Sequence, residues 1–299
     1  DCMLKFEEIK LEDKSRFEKY TKCHGYHNLE ASFANIFIWR RGMNIRMATD
    51  DLAMYLHLST KDISFVLPPL LGNCDTSILE PMLRCEEFLE SRGEPFLMKG
   101  VTVPLKERIE RDCPGRYVMV PDRANFEYVY NAQDLIKLEG KKYHAKRNHI
   151  NRLLEEHSFE YRRYTPDDYD LCMALYDFWL ESKGGLTQSY QNEKWATEEA
   201  LRNLEPLGLK CGLLFVDGKL EGFSIGEKFG DMAIIHVEKA NPNLRGAYPL
   251  INREFARHEF SDVKYINREE DMGIEGLRKA KLSYHPAFFV EKYTCTRAQ

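Results

Sequence analysis

Apolar residues along the chain recur in two rhythms. Leu29, Phe33, Ile36 and Phe37 are spaced three to four apart, which predicts a helix over 27–41. NIRMAT and LAMYLHL are runs of strand character on either side of Asp50-Asp51, which predicts a hairpin with a polar turn. Around them the first segment reads as a short strand in LKFEEI, a helix near Leu11–Thr21, and a strand in ISFVLPPL stopped by Pro68-Pro69. SILEPMLRCEEFLESRG is a helix with Ser77 as its N-cap and Gly93 as its stop. PFLMKGV is a strand and VPLKERIERD a helix, and YVMVPDRANFEYVY is rich in turn residues.

The second segment opens with a helix over 140–157, followed by a strand in SFEYRRY and a helix over 166–183. A polar loop, GGLTQSYQNE, leads to a helix near Trp195–Glu205. LKCGLLFV, the turn Asp217-Gly218 and KLEGFSIGEKF form the clearest hairpin in the chain. DMAIIHVEKA extends that sheet, then come a helix in YPLINREFARHEF, a strand in VKYINRE, a short helix in GIEGLRKAKLSYH and a last strand in AFFVEKYTC. Each half therefore runs helix, helix, hairpin, strand, helix, strand. That recurrence predicts two tandem copies of one α/β unit with mixed sheets, divided as 1–134 and 135–299.

Composition narrows the function classes. A chain of 299 residues is long enough for two cores. No stretch approaches the roughly 20 apolar residues of a membrane helix. The net charge of −5 rules out an overall nucleic-acid coat and leaves room only for a local basic patch. The eight cysteines include no C-x-x-C pair, which reads as reduced thiols in a cytoplasmic protein. Cys23, His24 and His27 have no later partner motif and fall short of a metal-ligand set.

The basic patch is the helix GKKYHAKRNHINRLLEEH, with Lys141, Lys142, Lys146, Arg147 and Arg152. With Ile150 at the centre of its apolar face, Lys146 and Arg147 fall about 40° and 60° to either side, while Lys141 and Arg152 face solvent. A cation on a packed face needs a carboxylate, a carbonyl or an anionic ligand. The spacing alone leaves open a structural ion pair and an anion site. A second basic set, Arg278, Lys279 and Lys281, lies in the tail helix, where Lys281 precedes Pro286 and can present an ammonium at the mouth of a cleft. Carboxylates and a histidine gather on the neighbouring strands. Glu227 alternates with Phe223 and Ile225, His236 and Glu238 share a face with Ile234, and Asn267 and Glu269 lie at a strand end. A carboxylate in such a setting can take a proton from an amine.

The stretches LEGKKYHAKRNHINR, FVDGKLEGFSIGE and INREEDMGIEGLRKAKLSYHP, with VEKYT at the close, resemble the phosphatidylglycerol lysyltransferase C-terminal domain family. That family is related to the FemABX peptidyltransferases, which carry two GNAT-like acyltransferase units. The resemblance implies aminoacyl transfer from an aminoacyl-tRNA to an amine or hydroxyl acceptor, in a cleft between the units. It places Lys281 at the family's lysine, where the ammonium would stabilise charge at the ester carbonyl, with Glu238 or Glu269 as base. It also aims Lys146 and Arg147 at the donor's terminal phosphates or an anionic acceptor, with Lys142, Lys279, Glu227, His236 and Asn267 lining the same site. The resemblance calls for no cofactor. Acetyl-coenzyme A would need Q/R-x-x-G-x-G/A after the strand ending near Ala240, and the chain has Asn243-Leu244-Arg245-Gly246-Ala247-Tyr248 there. A coenzyme A-dependent N-acetyltransferase and a non-catalytic anion- or RNA-binding module remain the alternatives.

Overall fold

A computed structural model describes residues 3–299. The chain forms two compact units. One runs up to Phe126 and takes back Val290–Gln299, and the other is Glu127–Phe289.

The first unit contains β1 (Glu7–Glu8), α1 (Lys14–Tyr20), α2 (Phe33–Trp39), β2 (Arg46–Thr49), β3 (Ala53–Ser59), β4 (Ser64–Val66), β5 (Leu70–Leu71), α3 (Leu79–Ser91), β6 (Met98–Thr102), α4 (Val103–Asp112) and β7 (Tyr117–Pro121). The strand Lys292–Arg297 enters between β6 and β7 and completes the sheet. The turn joining β2 and β3 is held by Asp50, whose carboxylate accepts from the amides of Leu52 and Ala53. Its core gathers Tyr55, Val66, Met82, Leu89, Met98 and Cys295.

The second unit contains β8 (Glu127–Asn131), α5 (Ala132–Lys137), α6 (His144–Glu156), β9 (Phe159–Arg163), α7 (Tyr169–Ser182), α8 (Gln188–Arg202), α9 (Leu204–Leu207), β10 (Lys210–Val216), β11 (Lys219–Phe229), β12 (Met232–Ala240), α10 (Ala247–Glu259), β13 (Tyr265–Asn267), α11 (Glu275–Leu282) and β14 (Phe288–Val290). Its sheet runs β14-β8-β13-β12-β11-β10-β9. The tail strand Lys292–Arg297 is β15.

Three features of this sheet position the site. Gly222 and Gly226 on β11 let α10 approach closely, since a Cβ at either would meet Ile251 or Phe255 and Phe260 at 3.2 Å. The β12–β13 pairing is parallel and stops at Ile234↔Asn267, so the two strands part beyond that point. β12 also bulges against β11: Val237 pairs with Ile225 and Ile235 with Gly226, which leaves His236 as the extra residue.

Several expectations differ from this structure. YVMVPDRANFEYVY supplies two strands, β7 and β8, because Val118 and Val120 face out while Tyr117 and Met119 pack against the core. The last predicted strand is two, β14 in the second sheet and β15 in the first, so residues 290–299 pack with the N-terminal unit rather than with 135–289. α8 begins at Gln188, earlier than expected, because Thr187 caps it by accepting from the Tyr190 amide. The bulge breaks the expected face shared by Ile234, His236 and Glu238. The cysteines are not all reduced thiols. Cys23 and Cys74, 51 residues apart, form a disulfide with their Cα atoms 5.3 Å apart. Spacing along a chain carries no signal for such a pair.

Candidate functional site

Where β12 and β13 part, the chain leaves the sheet through a fixed turn. Asn267, fully buried, donates to Glu127 Oε1 at 2.7 Å and accepts from the Glu269 amide at 2.8 Å. Glu269 takes a left-handed conformation, φ 69°, that this brace holds in place. As a result Arg268 and Glu269 project into different clusters.

On the α10 side, Arg268 Nη2 lies 3.3 Å from Glu238 Oε1. Glu238 also accepts from Ser224 at 2.7 Å and from Asn252 of α10 at 3.2 Å. The bulge turns Glu238 to this face, away from His236. The guanidinium stands 4.6 Å from the Tyr284 ring centre and 5.7 Å from that of Tyr130.

On the other side, the His236 side chain is fully buried between two carboxylates. Its Nδ1 lies 2.7 Å from Glu269 Oε2, and its Nε2 is bonded to Glu227 Oε2. Burial alone would lower the imidazole pKa. The two carboxylates outweigh it and push the value up to about 10. Burial pushes the Glu269 carboxyl up, and His236 and Lys281 oppose it. Glu227 and His236, expected to line the substrate site, have each other as partners.

Lys281 lies in the last turn of α11 and is buried, its Nζ donating to the Arg268 carbonyl. Burial, then the nearby Arg268, pull its pKa down to about 8, against Glu270, Glu269 and Asp271. The helix is tied down at both ends. At its start Asp271 accepts from Tyr128 Oη at 2.5 Å, Arg278 Nε at 2.9 Å and the Gly273 amide at 2.8 Å. At its close Tyr130 Oη donates to the Lys281 carbonyl at 2.6 Å.

The basic helix α6 reaches the same place through one residue. Tyr143, just before it, donates to the Tyr284 carbonyl at 3.0 Å. Lys146 Nζ then lies 2.8 Å from Ser283 Oγ and 4.3 Å from the Tyr284 ring centre, with no ion pair among the described residues. Arg147 points elsewhere. It donates to the carbonyls of Leu138 and Gly140 and so closes the turn before the helix. Lys142 and Lys279 are exposed and have no contact with these clusters among the described interactions. The structure thus brings together Lys146, Glu227, His236, Glu238, Glu269 and Lys281 around the 267–271 turn. Arg268, Tyr128, Tyr130, Tyr284 and Asp271 belong to the assembly but lay outside the expected set. Arg268 was legible only as a cation directly after a buried strand end.

The profile of the family described as phosphatidylglycerol lysyltransferase, C-terminal, matches residues 24–296. A conserved protein of unknown function from Bacteroides thetaiotaomicron superposes with a TM-score of 0.90 at 35% identity, covering 99% of this chain and all of its own. The structure titled L-PGS from Bacillus licheniformis gives 0.63 at 15% identity, covering 97% and 94%. FemX gives 0.60 at 10%, covering 97% and 96%. An uncharacterised protein of Mycoplasmoides gallisepticum is 24% identical over 182 residues, and the match spans 58% of its length. The fold is that of GNAT-like and FemX acyltransferases.

Proposed function

Because the chain belongs to the phosphatidylglycerol lysyltransferase C-terminal family, we propose that it transfers an aminoacyl group from an aminoacyl-tRNA to an amine or hydroxyl acceptor. The observation that carries this reading is Lys281, a buried ammonium anchored on the carbonyl of the residue before the partly buried carboxylate Glu269. An aminoacyl ester is already activated, so its transfer needs positioning and charge stabilisation more than a strong nucleophile. The acceptor nitrogen or oxygen attacks the ester carbonyl carbon. Lys281 stabilises the oxyanion that develops, Glu269 takes the acceptor's proton, and the bond to the ribose oxygen breaks as Glu269 passes that proton to the leaving oxygen. Glu238 serves less well as base, because Ser224, Asn252 and Arg268 already occupy its oxygens. Lys146, which has no carboxylate partner among the described residues, is the cation available to an anionic substrate group.

Acetyl-coenzyme A is the weaker donor. The turn that would cradle its pyrophosphate is covered by α6, where a Cβ on Gly246 would lie 2.4 Å from the His149 carbonyl oxygen. Arg245 Nε is also engaged there, 3.0 Å from His149 Nδ1. A thermal-shift titration decides between donors. Charged tRNA is expected to raise the melting temperature more than uncharged tRNA, and acetyl-coenzyme A to leave it unchanged. A shift with acetyl-coenzyme A alone would overturn the reading.

A further inference from the structure

His236 was expected to line the substrate site, yet both of its ring nitrogens are taken by the protein's own carboxylates. It is also the residue that the β12 bulge adds, so its place between Glu227 and Glu269 comes from an irregularity in the strand. An imidazole with a carboxylate oxygen at each nitrogen satisfies both contacts as a donor only when both nitrogens carry protons. We propose that His236 is a positioning residue, a permanent imidazolium that holds Glu269 ionised and oriented at the end of β13, and this rests on the reading of Glu269 as the base.

The charged groups around it fit that role. Glu227 faces it from β11, and Glu269 from the turn after β13. Glu269 in turn feels Lys281 of α11 and Glu127 of β8. Burial works against a charged Glu269, and His236 heads the groups that oppose this. Remove the imidazolium, and the carboxyl is left in a buried setting beside other acids, where it takes up a proton. In the transfer step one proton then moves, from the acceptor to a Glu269 oxygen and on to the leaving ribose oxygen, while His236 keeps both of its own.

Nuclear magnetic resonance of the intact chain tests this without a substrate. In ¹⁵N-histidine-labelled protein, the signals lost in H236Q are expected to show both nitrogens protonated at pH 7.5 and to stay so to about pH 10. In H236Q, isotope-edited infrared spectra should show at pH 7 a protonated carboxyl that is missing from the H236Q/E269Q double variant. A neutral imidazole at pH 7.5, or an ionised Glu269 in H236Q, overturns the proposal. With charged tRNA and an accepted acceptor, H236Q should lower kcat about 100-fold with KM within about twofold, and shift the rise of rate with pH to more alkaline values. An unchanged pH profile also overturns it. If the wild-type chain transfers nothing while the imidazolium signature is present, the transferase reading fails and the proton assignment stands.

Discussion

Lys146 Nζ stands 4.3 Å from the centre of the Tyr284 ring and reaches Ser283, but meets no carboxylate among the described residues. Burial, and then Arg268, lower its pKa. A lysine whose folded pKa lies below its unfolded value destabilises the fold while it is charged, and that cost fades as pH rises through the unfolded value near 10.4. The variant K146M should therefore melt about 1–3 °C higher than wild type at pH 7, with the difference closing towards pH 11. Binding of charged tRNA, read by titration, should weaken in the same variant.

Lys281 separates two kinds of chemistry by pH. Its folded pKa is drawn down to about 8, so the ammonium is present below that value and lost above it. Transfer that depends on the ammonium should fall as pH rises through about 8, whereas transfer using a neutral amine as base would rise. K281A should reduce kcat about 100- to 1000-fold. Its stability should change little, since the variant loses one hydrogen bond to Arg268 and one buried charge together. The pH–rate profile and a melting curve measure both.

Gly246 takes φ 94° against the His149 carbonyl. G246A combines backbone strain with a contact to main-chain atoms that side-chain rotation does not relieve. It should cost about 2–4 kcal/mol in urea unfolding.

Asp271 is buried and accepts from Tyr128, Arg278 and the Gly273 amide. Burial alone would raise its carboxyl pKa, but these donors hold it well below the usual carboxylate range. The stability it contributes is full above the unfolded pKa near 3.9 and is lost as pH falls through the folded value. D271N should destabilise by about 2–4 kcal/mol at pH 7 and by less in acid, as read by denaturant titration.

The Cys23–Cys74 bond closes a 51-residue separation in the first unit. Chain-entropy arguments set the stabilisation from such a loop at about 4 kcal/mol at most. Adding dithiothreitol should lower the melting transition of wild type and leave that of C23S/C74S unmoved.

Local pattern foresaw most elements, because helix and strand periods are written in nearest neighbours. Ile150 and Leu153 turned inward as the period required, and Lys146 turned with them. Arg147 lay on the same predicted face, yet its length let it curl back to Leu138 and Gly140, which periodicity does not encode. Glu238 and His236 are two apart on one strand, a spacing that predicts a shared face. A one-residue bulge separated them, set by pairing with β11 rather than by β12's own residues. Resemblance located Lys281, but the tyrosines that meet it, Tyr128 and Tyr130, come from a strand more than a hundred residues upstream.

β15 follows the whole second unit in sequence, yet it takes the place between β6 and β7, one strand in from the edge of the first sheet. On the ribosome the first unit cannot finish folding in the order it is made. Synthesis runs at about 5–20 residues per second, so its sheet stays incomplete for the tens of seconds taken to make the other unit. β6 and β7 must wait with open edges, the state most exposed to wrong strand pairing. A strand made after the second unit thus decides when the strands made before it are safe.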